Sequence, residues 1–336
     1  MNETISTIEK FKGLEIEIPR DVAKTIAKSF EEFPNPTLSI EAMRYFLTTS
    51  SSIISRILPF EIADTLFQIR YNLINPSFIK FKGLQIDEFL PPTPADGCWS
   101  KLKQTFVSEA LLLGFAQQLG TPFGFVNEKD GKILHQICPV KGKERTSSSA
   151  SSSKSLGWHI EIAYHELLRP RYVSLICLRQ DHEKNAITTV VDLRNVISNL
   201  PNWALDELRK PNFIFSIPES FNESACFSLP RPIIMGEFDL PEFVLDFKGM
   251  KPANPSLETY AAIELLEQEM NHPNNINNII LEKGDLLFIP NRYTAHGRSD
   301  FIPHYDGFDR WLQRVYITDS IWASRSTITN NVLIFN

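Results

Sequence analysis

Apolar residues recur at helical spacing in the first part of the chain. Val22, Ile26 and Phe30 predict a helix over Arg20–Phe33 that ends before Pro34 and Pro36. The same amphipathic pattern repeats in Ser39–Phe46 and Phe60–Ile69. Past Asn75-Pro76 the texture changes. Phe78–Phe81 reads as a strand, Leu90-Pro91-Pro92-Thr93-Pro94 as a rigid connection, and Trp99–Leu119 as a helix closed by Gly120. From Gly124 onward short β-rich runs alternate with turns. The runs Lys132–Cys138, Leu156–Ile162, Tyr172–Cys177, Thr188–Val191 and Asn212–Phe215 predict strands, as do Phe243–Phe247, Asp285–Ile289, Tyr293–Arg298 and Trp311–Ile317. Helices near Val196–Leu208 and Leu257–Met270 interrupt them.

This pattern divides the chain into a helical region, residues 1–76, and a β-rich core, residues 77–336, expected to pack as one compact unit. Many strands, few helices and long insertions predict a mainly β fold with helical additions, either a barrel or a sandwich. Alternation alone leaves those two open. There is no internal repeat, and Ser147–Ser153, six serines around Ala150, reads as a solvated loop.

Composition narrows the function classes. At 336 residues the chain can bury a core without staples, and 43% hydrophobic against 22% charged residues excludes a wholly disordered chain. A net charge of −6 offers no footprint for nucleic acid or an anionic membrane. Cys98, Cys138, Cys177 and Cys226 show no CxxC spacing, which argues against a disulfide framework or a zinc knuckle. No apolar stretch reaches membrane-spanning length, and MNETISTIEKFKG lacks a signal core, so a cytoplasmic protein is expected.

The chain has seven histidines, few enough for each to be weighed. In Gly157-Trp158-His159-Ile160-Glu161, strand alternation predicts that His159 and Glu161 project to one side. A third ligand from a distant strand would complete the two-histidine, one-carboxylate set that suits oxygen-activating Fe(II). Residues 284–298 read as turn, buried strand, turn and a second strand bearing His296, with Gly297 allowing a close backbone approach. In Asp309-Arg310-Trp311-Leu312-Gln313-Arg314, Arg310 and Arg314 share one strand face. Two guanidiniums on an apolar strand call for anionic partners, and each is shaped for a bidentate carboxylate. His135, His182, His272 and His304 show no ligand spacing and read as ordinary polar residues, and His165 as a supporting one.

Trp158-His159-Ile160-Glu161-Ile162-Ala163-Tyr164-His165 with Arg169–Arg179 resembles the first metal motif of the clavaminate synthase-like Fe(II)/2-oxoglutarate oxygenases. His296-Gly297-Arg298 with Tyr305–Arg314 resembles the second, and Leu90–Pro94 and Leu119–Gly124 extend the likeness over roughly residues 85–318. The group includes clavaminate synthase, arginine and asparagine β-hydroxylases and free-lysine hydroxylases. The resemblance implies a double-stranded β-helix (jelly-roll) core with Fe(II) on His159, Glu161 and His296. It implies that Arg310 grips the distal carboxylate of 2-oxoglutarate, with Thr188 beside the cosubstrate. Arg314 falls where relatives hold the α-carboxylate of an amino acid, Ser149 and Gln136 where its α-amino group is met, and Asp246 where its side chain is recognised. The serine-rich island would then be partly a site loop. Ile160 replaces a threonine common in the family, and Lys248 stands where arginine-type enzymes carry a second acid, which argues against an arginine substrate.

The implied activity is hydroxylation of a free polar L-amino acid at C3 or C4 with release of succinate and CO2, dioxygen being the third small-molecule partner. Glu161 favours hydroxylation over halogenation, because halogenating relatives lack that carboxylate. Desaturation or cyclisation is the alternative within the family. A zinc hydrolase and a non-catalytic binding protein are the alternatives outside it.

Overall fold

The computed structural model describes residues 10–146, 148, 150–165, 168–217, 226–328 and 333–335. Two β-sheets organise it. The strands of both are β1 (Leu14–Glu17), β2 (Ile79–Lys82), β3 (Thr121–Phe125), β4 (His135–Ile137), β5 (Leu156–His159) and β6 (Tyr172–Arg179). They continue with β7 (Ile187–Asp192), β8 (Ile276–Ile280), β9 (Leu286–Pro290), β10 (Thr294–Arg298), β11 (Trp311–Thr318) and β12 (Ile334–Phe335). The large sheet runs β1-β2-β9-β6-β11-β3-β12, with β4 also paired to β11, and the small sheet runs β8-β7-β10-β5. The large sheet is mixed: β1 with β2 and β12 with β3 are parallel, and the other pairs are antiparallel.

Alternation explains how the sheets close on each other. Ile137, Cys177, Leu287, Ile289 and Leu312 from the large sheet meet Val190 and Ile279 from the small one in a single apolar cluster. The opposite faces of both sheets are covered by helices. Helices α1 (Arg20–Phe30), α2 (Ile40–Ile57), α3 (Phe60–Arg70) and α4 (Val107–Leu119) share one core with the outer face of the large sheet, including Phe81, Phe288, Trp311 and Val315. Helices α5 (Leu193–Ile197), α6 (Asn202–Leu208) and α7 (Leu257–Met270) pack a second core with the small sheet. No helix among the described residues is long and apolar enough to cross a membrane.

Local chemistry accounts for most element boundaries. α1 buries Ala23, Ile26 and Phe30 on one stripe, and Ser39 caps α2 by accepting from the Ala42 N–H at 3.1 Å. α4 is apolar nearly all round because it lies between α2 and the large sheet. A side chain at Gly114 would come within 2.8 Å of Ile54 and 3.1 Å of the Ser50 carbonyl, so glycine sets the α2–α4 separation.

Several expectations from sequence are corrected. The helix predicted from Trp99 starts only at Val107, because its cap is remote: Asp87 accepts from Val107 N at 3.1 Å and Ser108 N at 3.0 Å. The helix predicted over Val196–Leu208 is two short ones split before Pro201-Asn202. Strands β1, β3, β8 and β12 were not foreseen. β1 lies within the region read as helical and joins the edge of the large sheet, and β8 is the unpromising sequence Ile-Asn-Asn-Ile-Ile.

Candidate active site

β10 is the centre of the small sheet, and its pairing builds the site. His296 lies opposite His159 of β5 on one side and Val190 of β7 on the other. A side chain at Gly297 would come within 2.7 Å of the Leu156 carbonyl, so this glycine is what lets β5 approach. The two imidazole rings stand 4.3 Å apart. His159 Nδ1 is bound to the Gly157 carbonyl at 2.9 Å, which makes that nitrogen the donor and leaves Nε2 as a free lone pair.

Glu161 reaches the same place by a route that alternation did not anticipate. β5 ends at His159, and Glu161 sits in the following turn, where Ile162 adopts a left-handed φ of 59°. Asn291 holds this turn from both sides. Its Oδ1 accepts from Glu161 N at 2.8 Å, and its Nδ2 donates to the Glu161 carbonyl at 3.0 Å. One donor atom each from His159, Glu161 and His296 lies within 4.8 Å of the others, and Glu161 Oε1 is 3.9 Å from His296 Nε2. Two imidazole nitrogens and one carboxylate oxygen, converging on one point, fit a divalent iron ion by donor type.

The electrostatics favour the ligand-competent protonation states. Burial alone would raise the Glu161 carboxyl, but the Arg314 guanidinium and the two histidines pull it far below the ordinary carboxylate range. Burial first, and then the neighbouring His159, lower His296 to about 4, so its ring is neutral at physiological pH. His296 Nδ1 is buried with no hydrogen-bond partner among the described residues.

Arg310, Leu312, Arg314 and Tyr316 line the inward face of the large sheet beside this cluster, as the period of two requires. Arg310, just before β11, is 6% exposed and makes no hydrogen bond or salt bridge to a described residue. Its neighbours are the Phe301 ring at 5.8 Å and Cys177, whose own pKa burial pushes up to about 12, with the charges of Asp181 and Arg298 acting from beyond ion-pair distance. Arg314 is surrounded differently. It donates to Glu161 Oε1 at 2.7 Å, to Glu128 Oε1 at 2.6 Å and to His135 Nδ1 at 2.9 Å. The Tyr316 hydroxyl lies 3.0 Å from Glu128 Oε1 and 3.3 Å from Glu161 Oε2. One donor and one acceptor remain unmet here, Arg314 Nε and Glu128 Oε2.

The other expected residues divide. Thr188 is buried opposite Arg298, on the face of β7 that carries Val190 into the inter-sheet cluster, and its hydroxyl has no partner among the described residues. Asp246 pairs across an isolated bridge with His159, which puts both side chains on one side, and Lys248 beyond it is exposed. Gln136 is not brought to the site. On β4 it is the neighbours His135 and Ile137 that face inward. Gln136 points to the helix-covered side, where its Oε1 accepts from Trp311 Nε1 at 2.7 Å. Ser149 lies outside the described residues. Its loop is anchored by Arg298, which donates to the Ser151 carbonyl at 2.5 Å and the Lys154 carbonyl at 2.7 Å.

Sequence reasoning missed Glu128, His135, Tyr316, Asn291 and Arg298. Tyr316 was within reach, since it continues the alternation from Arg310 through Arg314. Glu128 and Asn291 stand in loops where no pattern marks them.

The described geometry defines a non-haem, oxygenase-type centre on a mixed β-sheet fold, and comparison with known proteins gives the family. Residues 104–316 match the taurine catabolism dioxygenase TauD, TfdA family, and the chain belongs to it. It is 34% identical over 252 residues to L-asparagine oxygenase of Streptomyces coelicolor, covering 74% of this chain and 73% of that protein. It is 30% identical to L-ornithine/L-arginine 3-hydroxylase of Catenulispora acidiphila, over 76% of this chain and 81% of that one. Among solved structures it superposes on asparagine oxygenase bound to Fe(II), 3-hydroxyasparagine and succinate, with a TM-score of 0.83, 28% identity and coverage of 96% and 98%. It also superposes on the non-haem iron oxygenase OrfP with iron and α-ketoglutaric acid, with a TM-score of 0.82, 25% identity and coverage of 96% and 100%.

Proposed function

We propose that the protein is an Fe(II)- and 2-oxoglutarate-dependent oxygenase that hydroxylates a free polar L-amino acid at C3 or C4, releasing succinate and CO2. The observation that carries this reading is the juxtaposition of the His159–Glu161–His296 cluster with the buried, unpaired Arg310 on the facing sheet. Relatives named L-asparagine oxygenase, L-ornithine/L-arginine 3-hydroxylase and L-lysine 3-hydroxylase support the substrate class.

His159, Glu161 and His296 would hold the iron, which when bound supplies dioxygen activation coupled to oxidative decarboxylation of 2-oxoglutarate. The chain's own residues bind and orient. Arg310 meets the distal carboxylate of 2-oxoglutarate, compensating a charge that is otherwise costly to bury, and the Thr188 hydroxyl lies on the same lining. Arg314 orients Glu161 and keeps it ionised. With its free Nε–H it meets the substrate α-carboxylate, and the unmet Glu128 Oε2 suits the α-ammonium group. Ser149 is a further candidate for that group. Asp246, on the side of His159, engages the polar end of the substrate side chain, so the carbon presented to the iron is set by three anchored points. Leu312, Cys177 and Val190 keep the intervening space apolar.

The two facing sheets support a double-stranded β-helix core, with residues 1–76 packed against residues 77–336 in one compact unit. Free cysteines at the three described positions are compatible with a reducing compartment such as the cytoplasm.

Incubating the iron-loaded protein with 2-oxoglutarate and each standard amino acid tests the reading. Succinate and a product one oxygen atom heavier are expected from one or a few of them. A product two hydrogens lighter would replace hydroxylation with desaturation or cyclisation, and no product from any would overturn a free amino-acid substrate.

A further inference from the structure

A second group of metal-ligating side chains lies away from the iron cluster, where sequence spacing gave no sign of one. His182 follows β6, and His304 and Asp306 stand in the connection from β10 to β11. One ligand atom from each of the three lies within 4.8 Å of the others, the same convergence found for His159, Glu161 and His296. The two imidazoles stack at 3.9 Å with only 8° between their planes. His182 Nε2 is 3.0 Å from Asp306 Oδ2, and His304 Nε2 is 3.0 Å from Glu183 Oε1. Asp309 Oδ1 lies 4.0 Å from His182 Nδ1, an atom that is buried with no hydrogen-bond partner among the described residues.

We propose that His182, His304 and Asp306, with Glu183 in reach, form a second divalent-cation site, of the zinc type, separate from the iron centre. The donor set is two imidazoles with carboxylates, which suits a borderline cation such as Zn2+ better than the all-oxygen sets taken by Mg2+ or Ca2+. The side chains are accessible, at 24% exposure for His182, 42% for His304 and 47% for Asp306, so the ion enters from solvent. Coordination requires only a tilt of the half-exposed His304 ring to turn two parallel lone pairs onto one point. Each ring binds the ion as a neutral imidazole, its proton passing from Nε2 to Nδ1, which in His182 faces Asp309 Oδ1 at 4.0 Å, so that the Nε2 lone pair is freed for the ion.

Placement gives the site a consequence. The segment that carries His304 and Asp306 leads directly into Arg310, and contacts within the chain already hold it, among them the Tyr305 hydroxyl donating to Glu144 Oε1 at 2.8 Å and Thr93 N donating to the Gly307 carbonyl at 2.8 Å. Asp309 Oδ1 accepts from His304 N at 2.7 Å, the Thr93 hydroxyl donates to the Asp309 carbonyl at 2.7 Å, and Arg179 donates to the Gly307 carbonyl at 3.0 Å. Tyr305 takes a left-handed φ of 57°, a conformation that a non-glycine residue keeps where its surroundings fix it. An ion bridging this segment to the His182 turn fastens the approach to Arg310.

Zinc stoichiometry of the metal-stripped, full-length protein by equilibrium dialysis tests this. Two ions per chain are expected for the parent, one for His159→Ala/Glu161→Ala and one for His182→Ala/His304→Ala. Asp306→Asn, an exposed and conservative change, is expected to weaken one of the two sites by at least about tenfold. Zinc added to His159→Ala/Glu161→Ala should slow amide hydrogen exchange in residues 300–309. The proposal is overturned if the parent binds a single ion that disappears with His159 and Glu161, or if His182→Ala/His304→Ala binds as many ions as the parent. A single ion lost only with His182 and His304 would uphold it while removing the iron-site reading.

Discussion

Arg310 and Arg314 stand one strand period apart twice over, on the same inward face, and are buried to the same extent at 6% exposure each. Their surroundings are opposite. Arg314 is enclosed by Glu161, Glu128 and His135, and its charge is compensated within the protein. Arg310 has the Phe301 ring, a protonated thiol and no ionic partner among the described residues. A buried guanidinium without a counter-charge is expensive, and a fold keeps one where an external anion completes it. The difference separates two jobs. Arg314 belongs to the permanent frame that fixes Glu161 and offers only its remaining Nε–H to the substrate, whereas the guanidinium of Arg310 is left for a ligand that arrives and leaves.

Replacing each arginine by methionine in the metal-free protein should therefore move stability in opposite directions. Arg314→Met strands two buried carboxylates and is expected to cost about 3–5 kcal/mol in denaturant unfolding. Arg310→Met removes an uncompensated cation and is expected to stabilise by about 1 kcal/mol or more. Equal losses from both would erase the distinction.

Acid titration sharpens it. The Glu161 carboxyl is held below its ordinary value of 4.5, so it contributes stability that is fully present above that pH and lost as pH falls through the folded value. Burial raises Glu128, which acts in the opposite direction and reduces the net slope without reversing it. Stability of the metal-free parent should thus fall on acidification below 4.5. Arg314→Met should show a shallower fall and Arg310→Met an unchanged one, read from unfolding midpoints across that range.

A different kind of effect is expected on the helix-covered face of the same sheet, where Gln136 of β4 meets Trp311 of β11. Gln136→Leu leaves Trp311 Nε1 without its acceptor and should destabilise by about 1–3 kcal/mol, while the KM for the amino acid stays within about twofold of the parent. A large rise in KM with unchanged stability would return Gln136 to the substrate pocket.

These contrasts show what the sequence could and could not yield. Period-two alternation was enough to align Arg310 with Arg314, and the HxE and distant HG motifs located all three members of the metal cluster. The reasoning for Glu161 nonetheless differed from the structure, because the strand stops at His159 and Asn291, far along the chain, shapes the turn that delivers the carboxylate. The resemblance alone placed Gln136 at the substrate, and the pairing of β4 with β11 turns it to the opposite face. The α4 start and the His182–His304 stack escaped for the same physical reason. Each depends on side chains brought together by the connections between strands, where no local period operates.

The most direct test is an anaerobic titration of the Fe(II)-loaded parent, Arg310→Met and His159→Ala with 2-oxoglutarate, following iron content and binding together. The account predicts that His159→Ala fails to retain iron. It predicts that Arg310→Met retains iron but binds 2-oxoglutarate at least about a hundredfold more weakly than the parent, the loss of a charge-assisted contact in a buried site. Arg310→Met binding 2-oxoglutarate as tightly as the parent, or His159→Ala holding its full complement of iron, would contradict it.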